Sequence, residues 1–287
     1  SAGCFTREEE IMEELNYAEY LDGVGLVPGD IIDVASDMMS IMMYCRRKKL
    51  RFDPNHLLDA LKEKVGEEGT VMIRTFTWDF CHDTPFDIKK SPSRSGSLGD
   101  VAMKREDFKR TQHAIYSWMV WGKYQEELCA MTNSSAFGIG SPFDFLDKKH
   151  GKQMVIGNLT TTACTQIHHC EALAEVPYRL DKIFKGEYVD EEGKSSMREY
   201  SMHVRPLNLG VSNEVTNSEE FGDMLKEKGI FIQKMYDGKV ECGVFLLHEM
   251  TECLVEDLKD EGKWVVSIEG FPGYKAADVE WDTLKYY

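Results

Sequence analysis

The sequence predicts an α/β fold: a central, mostly parallel sheet covered by helices, with a C-terminal antiparallel appendage. Three observations predict it. Asp30-Ile-Ile-Asp-Val-Ala35 and Thr70-Val-Met-Ile-Arg-Thr-Phe76 are short apolar runs separated by two helical patterns. A β-α-α-β order with short joints lays such strands side by side in parallel. Gln153-Met-Val-Ile-Gly157 is a third run of this kind, ending in the glycine of an exit turn. Asp237-Gly238 divides Ile230–Tyr236 from Lys239–Leu247, a two-residue hairpin signal. A single domain is expected, with residues 1–184 as the core and 185–287 as a C-terminal subdomain.

The elements follow in order. Thr6-Arg-Glu-Glu9 is a capping box opening an acidic helix to about Leu21. After the turn Gly23 to Gly29 and the first strand, Met38, Met39, Ile41, Met42 and Met43 mark a helix whose methionines read as core. Pro54 to Val65 is a second helix, with His56, Leu57, Leu58, Ala60 and Leu61 in phase, broken by Gly66 to Gly69. From Thr77 to Ser97 the chain is irregular yet aromatic, which argues for an ordered loop. Arg110-Thr-Gln-His113 leads into a predicted helix with Trp118, Val120, Trp121 and Tyr124. Phe137 to Phe143 turns into a helix ending at His150-Gly151. Lys185 to Ser196 is charged and reads as a surface excursion. Glu199 to Pro206 is a strand, Ser218 to Lys228 and Glu249 to Lys259 are helices, and Trp264 to Ser267 is a last strand.

Composition narrows the function classes. An apolar fraction of 42% and a charged fraction of 29% are those of an ordinary globular protein. No run approaches a membrane span and no signal peptide is apparent. The 8 cysteines form no CxxC pair, as expected of reduced thiols in a cytoplasmic protein. The net charge of −16 argues against nucleic acid and anionic membranes as partners and would favour a polycation. Arg46-Arg-Lys-Lys-Leu-Arg51 runs against the trend; it either holds an anion such as a nucleotide phosphate or complements a helix C-terminus.

The most chemically loaded stretch is Thr160 to Arg179. Thr162 or Thr165 would cap a helix that runs through His168 and stops before Pro177. On it His168 and Glu171 are three residues apart and share a face, with Cys164 one turn earlier. A carboxylate beside an imidazole fixes its tautomer and makes it a better general base. The bland reading is a polar helix face with a chance His–Glu pair. Elsewhere, a strand followed by Ser36 and a helix is an anion-binding arrangement. Asp79, Asp83 and Asp87, with His82 among them, would line an acidic pocket for ammonium groups, or else cap turns. His113 by itself reads as a hydrogen-bonded structural histidine. His248-Glu-Met-Thr-Glu252 echoes a zinc-binding helix with Glu in place of the second His, and no metal is expected.

Taken together and in order, several segments resemble the aminoglycoside 3-N-acetyltransferase family, whose fold is distinct from the GNAT fold. They are Val27-Pro-Gly-Asp30, Val34-Ala-Ser-Asp-Met-Met-Ser40, Gly69-Thr-Val with Thr75-Phe-Thr77, and Ser91-Pro-Ser-Arg-Ser-Gly96. Arg110-Thr-Gln-His113 with Tyr116-Ser117, Phe137-Gly-Ile-Gly-Ser-Pro142, Gly151 to Gly157 and Thr165-Gln-Ile-His168-His-Cys-Glu171 complete the set. The resemblance spans about Gly23 to Arg179. Ala163-Cys-Thr, His168 and Val176-Pro-Tyr-Arg179 look most like relatives from bacterial surface-polysaccharide gene clusters, thought to acylate amino sugars that can be nucleotide-linked. The chain departs from the family at Ala35-Ser-Asp-Met38, where His-Ser-Ser-Leu is usual, at Met42 in place of Gly, and at Ala114 in place of Pro.

The resemblance implies an N-acetyltransferase that moves an acetyl group from acetyl-CoA to an aminoglycoside or another amino sugar. His168 would be the general base and Glu171 its orienting carboxylate, with His113 as second choice for a site histidine. Ser36, Asp37, Ser40, Thr77 and Thr165 would meet the cofactor; Asp79, Asp83 and Asp87 would meet the amine. Asp37 would be an unhelpful anion beside a pyrophosphate. Three other readings stand beside this one: a ping-pong transferase acylated at Cys164 or Cys170, a metalloprotein, and a binding protein that keeps the fold without catalysis. The expected partner is a small-molecule amine, with a homodimer left open.

Overall fold

A computed structural model describes residues 12–157, 164–206, 210–212, 219–268 and 271–274. Its centre is a seven-stranded mixed sheet. In chain order the first half is α1 (Tyr17–Tyr20), β1 (Ile31–Ser36), α2 (Met38–Lys48), α3 (Pro54–Val65), β2 (Thr70–Arg74), β3 (Phe86–Asp87), α4 (Ser97–Ala102), β4 (Lys109–Arg110), β5 (Trp118–Gly122), α5 (Gln125–Cys129), α6 (Pro142–Lys148) and β6 (Lys152–Ile156). Then come α7 (Ile167–Leu173), β7 (Leu180–Val189), β8 (Ser195–Val204), β9 (Val211–Ser212), α8 (Glu219–Glu227), β10 (Phe231–Tyr236), β11 (Val240–Leu246), α9 (Leu247–Asp260), β12 (Ser267–Ile268) and β13 (Phe271–Pro272). The main sheet runs β10-β11-β6-β1-β2-β5-β4.

The α/β class and the antiparallel C-terminal appendage are as the sequence predicts. The parallel part is the centre: β1 pairs in parallel with β6 on one side and β2 on the other, and the outer pairings are antiparallel. Every residue of β1 and β2 is buried, as a sheet covered on both faces requires. The Asp237-Gly238 turn has positive φ at both positions (48° and 63°) and joins β10 to β11, which extends the sheet beyond β6.

Three expectations change. The segment Trp118 to Tyr124 is not a helix: its first five residues are β5, antiparallel to β2 from Arg74↔Trp118 to Thr70↔Gly122. Trp118 and Val120 enter one core and Met119 and Trp121 the other, a period of two hidden by apolar residues on both faces. The charged excursion Lys185 to Ser196 belongs to a long ribbon, β7 and β8, paired from Leu180↔Val204 to Val189↔Ser195. There Phe184 and Tyr188 are buried while Lys182, Lys185 and Glu187 are not, so charge masks a strand alternation. The predicted acidic helix begins among residues outside the described ones; its described part is helical only over α1.

Two cores lie on opposite faces of the sheet. One is built around Trp118, Phe76, Phe137 and Phe143, and the other around Leu57, Leu61, Ile73 and Met154. Asp33 of β1 and Arg74 of β2 form a buried ion pair (2.5 Å), and the Trp118 indole N–H donates to the same carboxylate at 2.8 Å. A buried pair of this kind is tolerated when further hydrogen bonds satisfy it, as here.

Candidate active site

α7 follows β6 and stands beside the ribbon. Glu171 on α7 and Tyr178 and Arg179 just after it are drawn together because the chain reverses at Glu175, in a left-handed conformation (φ 51°), before entering β7. A cleft of about 490 Å³ opens between these elements. One wall is Trp78, Tyr116 and His168; the other is Phe184, Met202 and His203 of the ribbon.

His168 sits on this wall with about a quarter of its side chain exposed (24%), while Glu171 beneath it is fully buried. The imidazole Nδ1 is 2.7 Å from Glu171 Oε2. Arg179 Nε reaches the same oxygen at 2.6 Å, and the Tyr178 hydroxyl donates to Oε1 at 3.0 Å. Burial would by itself raise the Glu171 carboxyl, but Arg179 and His168 overcome it and hold the group below its ordinary range. Glu171 is therefore ionised and can only accept, so His168 Nδ1 carries the hydrogen and Nε2 carries the lone pair. Burial, and after it the Arg179 cation, keep the imidazole below its ordinary value of 6.5, against the pull of Glu171. A neutral imidazole with its basic nitrogen on the cleft side can take a proton at neutral pH.

The other predicted residues are placed as follows. His113 is buried behind the wall residue Tyr116: its Nδ1 accepts from the Ile115 and Tyr116 amides at 3.2 and 3.1 Å, and its Nε2 faces the Ser134 carbonyl at 3.2 Å. Both ring nitrogens serve the main chain, and burial pushes its pKa down to about 3. This is the geometry of a hydrogen-bonded structural histidine. Ser36 is buried at the end of β1. Asp37 caps α2, accepting from the Met39 amide at 3.1 Å and from the Ser40 hydroxyl. Gly157, at φ 88°, lets the end of β6 close on Asp37; a Cβ there would lie 2.4 Å from the Asp37 carbonyl oxygen. Thr77 is buried, and its hydroxyl faces the Asp79 amide at 3.4 Å. Thr165 precedes α7 without capping it; its hydroxyl accepts from Arg74 at 3.1 Å. Thr162 lies outside the described residues.

Asp79, Asp83 and Asp87 do not form an acidic pocket. Asp79 is paired with Arg94 at 2.7 Å, Asp83 ends the short 3₁₀ turn in a left-handed conformation, and Asp87 caps the Lys89 and Lys90 amides. Two other readings also lose support. Cys164 and Cys170 are buried, and burial raises both thiols, Cys164 to about 12, so neither is a ready nucleophile. His248 pairs with Asp147 at 3.1 Å, and among the described residues no cluster of three His, Cys, Asp or Glu could hold a metal ion. The basic island ends α2: Lys49 is its left-handed cap, Lys48 pairs with Asp237 and Arg51 with Glu14. Complementing the helix C-terminus is what this geometry supports.

Reasoning from sequence missed Arg179 and Tyr178 as partners of Glu171, Tyr116 as a wall residue, and the pair His203–Asp181. That pair is cross-strand, Asp181↔His203, with Nδ1 3.1 Å from Oδ1. The ribbon had not been read as a ribbon, so its register carried no signal.

Comparison with known proteins gives one family and a set of similar folds. The model of the family described as aminoglycoside 3-N-acetyltransferase matches residues 34–259. Among solved structures, AAC-IIIb in a binary complex with CoASH is 22% identical with a TM-score of 0.70, covering 85% of this chain and 94% of that one. AAC-VIa bound to sisomicin is 18% identical with a TM-score of 0.69, covering 85% and 96%. The YokD protein from Bacillus subtilis is 19% identical with a TM-score of 0.66, covering 84% and 96%. At these identities the structural likeness is one of fold.

Proposed function

The chain belongs to the aminoglycoside 3-N-acetyltransferase family, and from that premise we propose that it moves an acetyl group from acetyl-CoA to an amine of an aminoglycoside or another amino sugar, with His168 as general base. The observation that carries the mechanism is the His168–Glu171 contact with His168 on the cleft wall. Nε2 takes the proton of the attacking amine as the C–N bond forms at the thioester carbonyl. The tetrahedral intermediate then breaks its C–S bond, and the proton returns to the departing thiolate, so the imidazole ends neutral. The buried Glu171 carboxylate stabilises the transient imidazolium, and Arg179 and Tyr178 hold that carboxylate in place. The Thr165 hydroxyl, one turn before His168, accepts from Arg74 and keeps its own hydrogen for the developing oxyanion.

In this reading the thioester end of acetyl-CoA would lie beside His168. Its pyrophosphate would meet the Asp37 carboxylate at the start of α2, which already accepts from the Met39 amide. Ser36, Asp37 and Ser40 are therefore structural in this reading, and no phosphate contact is assigned to them. His168→Ala should lower turnover by about 10²- to 10⁴-fold with the fold intact. Thiol release from acetyl-CoA measures this, and a loss smaller than about threefold would refute the role.

A further inference from the structure

His169 follows His168 directly on α7, and its buried side chain is not part of the cleft wall. Its Nδ1 lies 2.7 Å from the Phe137 carbonyl oxygen. A carbonyl can only accept, so Nδ1 carries the hydrogen and donates it. Nε2 has no hydrogen-bond partner among the described residues: Asp147 Oδ2 is 4.0 Å away, and that carboxylate is engaged by His248. The bond to Phe137 is therefore what fixes this ring among the described residues. Phe137 in turn touches His168. Its ring meets the His168 imidazole with 5.2 Å between centroids and 68° between planes. On other sides it packs on Tyr116 of the cleft wall (4.7 Å) and on Phe143 (5.0 Å). Phe137 lies outside the helices and strands, just before α6. Its segment is tied to the ribbon by the Ala136 amide, which donates to the Ser201 carbonyl at 3.0 Å, and to α7 by His169.

Two consecutive residues of α7 thus contact the same Phe137, one at its ring and the other at its carbonyl. A hydrogen bond at Nδ1 holds one corner of the His168 imidazole and leaves the ring free to swing about it. A fixed neighbour removes that freedom, and proton transfer is sensitive to small displacements of the base. We propose that His169 is a positioning residue for the reaction: by holding the Phe137 carbonyl it fixes the aromatic ring that aims His168 Nε2 into the cleft. This rests on the transferase reading above and adds a residue to it.

Two readouts test it, and one needs no acceptor. In proton–carbon NMR spectra of the histidine rings, His168→Ala identifies the His168 signals. Phe137→Leu should shift them, because the aromatic ring beside them is gone. His169→Leu should shift them in the same direction, while His169→Asn, which keeps an N–H donor near the position of Nδ1, should leave them close to wild type. In thiol release from acetyl-CoA with sisomicin as acceptor, His169→Leu and Phe137→Leu should each lower kcat about tenfold with little change in either KM. The double variant should lose no more than either single one, and His169→Asn should recover most of kcat. Should His169→Leu fail to fold, His169→Gln takes its place, since its donor reproduces the position of Nε2 and not that of Nδ1. Unmoved His168 signals in the Leu or Gln variant, or an Asn variant as impaired as that one, overturn the inference and leave the transferase reading standing. Absence of thiol release by the wild type, with acetyl-CoA binding intact by calorimetry, overturns the transferase reading; the ring signals then decide by themselves whether His169 places the imidazole.

Discussion

Glu171 holds its charge inside the protein because three groups converge on two oxygens: the His168 imidazole and the Arg179 cation at Oε2, and the Tyr178 hydroxyl at Oε1. Removing the carboxylate as Glu171→Gln leaves the Arg179 cation buried without its counter-ion, which should cost about 3–5 kcal/mol of stability. Urea unfolding with an unchanged slope would show it. The same change should move the acid limb of kcat/KM downward, because Glu171 is the group that raises the imidazole pKa. In the wild type that limb already lies below 6.5, since burial and Arg179 depress the group; a limb above 6.5 would count against His168 as the base. His113 affects stability. Its folded pKa, near 3, is below its ordinary 6.5, so the unfolded chain binds the extra proton between those values. Its contribution is therefore complete above 6.5 and is lost as pH falls toward 3. A His113→Gln variant should show a shallower acid-stability slope over that window in urea titrations at stepped pH.

At the scale of single elements, α2 is the instructive one. A helix start after a buried strand invites an anion, yet here Asp37 takes the place of one. Asp37→Ala should therefore cost the helix about 1 kcal/mol as a lost cap. If acetyl-CoA bound there, removal of the charge would tighten it; calorimetry should instead show its affinity unchanged. The sequence made the helix legible because its apolar spacing is a local pattern, as is the His168–Glu171 spacing on α7, but it did not mark Asp37 as the cap. It did not reveal that β5 is a strand, since Met119 and Trp121 are apolar on the face where an alternating pattern would show polar residues. Nor did it reveal the Asp33–Arg74 pair, whose partners are 41 positions apart and meet only when β1 and β2 align.

Across the whole molecule, the cleft exists because two structures of different origin face one another. The helix-covered sheet supplies His168 and Tyr116, and the ribbon supplies Phe184, Met202 and His203. The sheet half could be read from ordered local motifs, whereas the ribbon half depends on a register of paired strands that charge disguised. Contact between the halves is close at Gly186, where a Cβ would come within 2.7 Å of the Phe80 ring. Phe80 is buried and cannot step aside. Gly186→Val should lift the ribbon from the 3₁₀ segment Asp79–His82 and lower kcat/KM by about tenfold or more, chiefly through the acceptor KM. An unchanged acceptor KM would show that this packing does not shape the cleft.

The ribbon enters at Leu180 and leaves at Val204, and these two residues are paired with each other. Its takeoff and landing points are thus neighbours, as in a cassette that can be lifted out and replaced. A graft of a foreign hairpin between them would exchange one wall and leave His168 and Glu171 on α7 in place. The two walls of the cleft are in that sense carried on separable pieces of chain, and a library of hairpins could vary one while the other stays as it is.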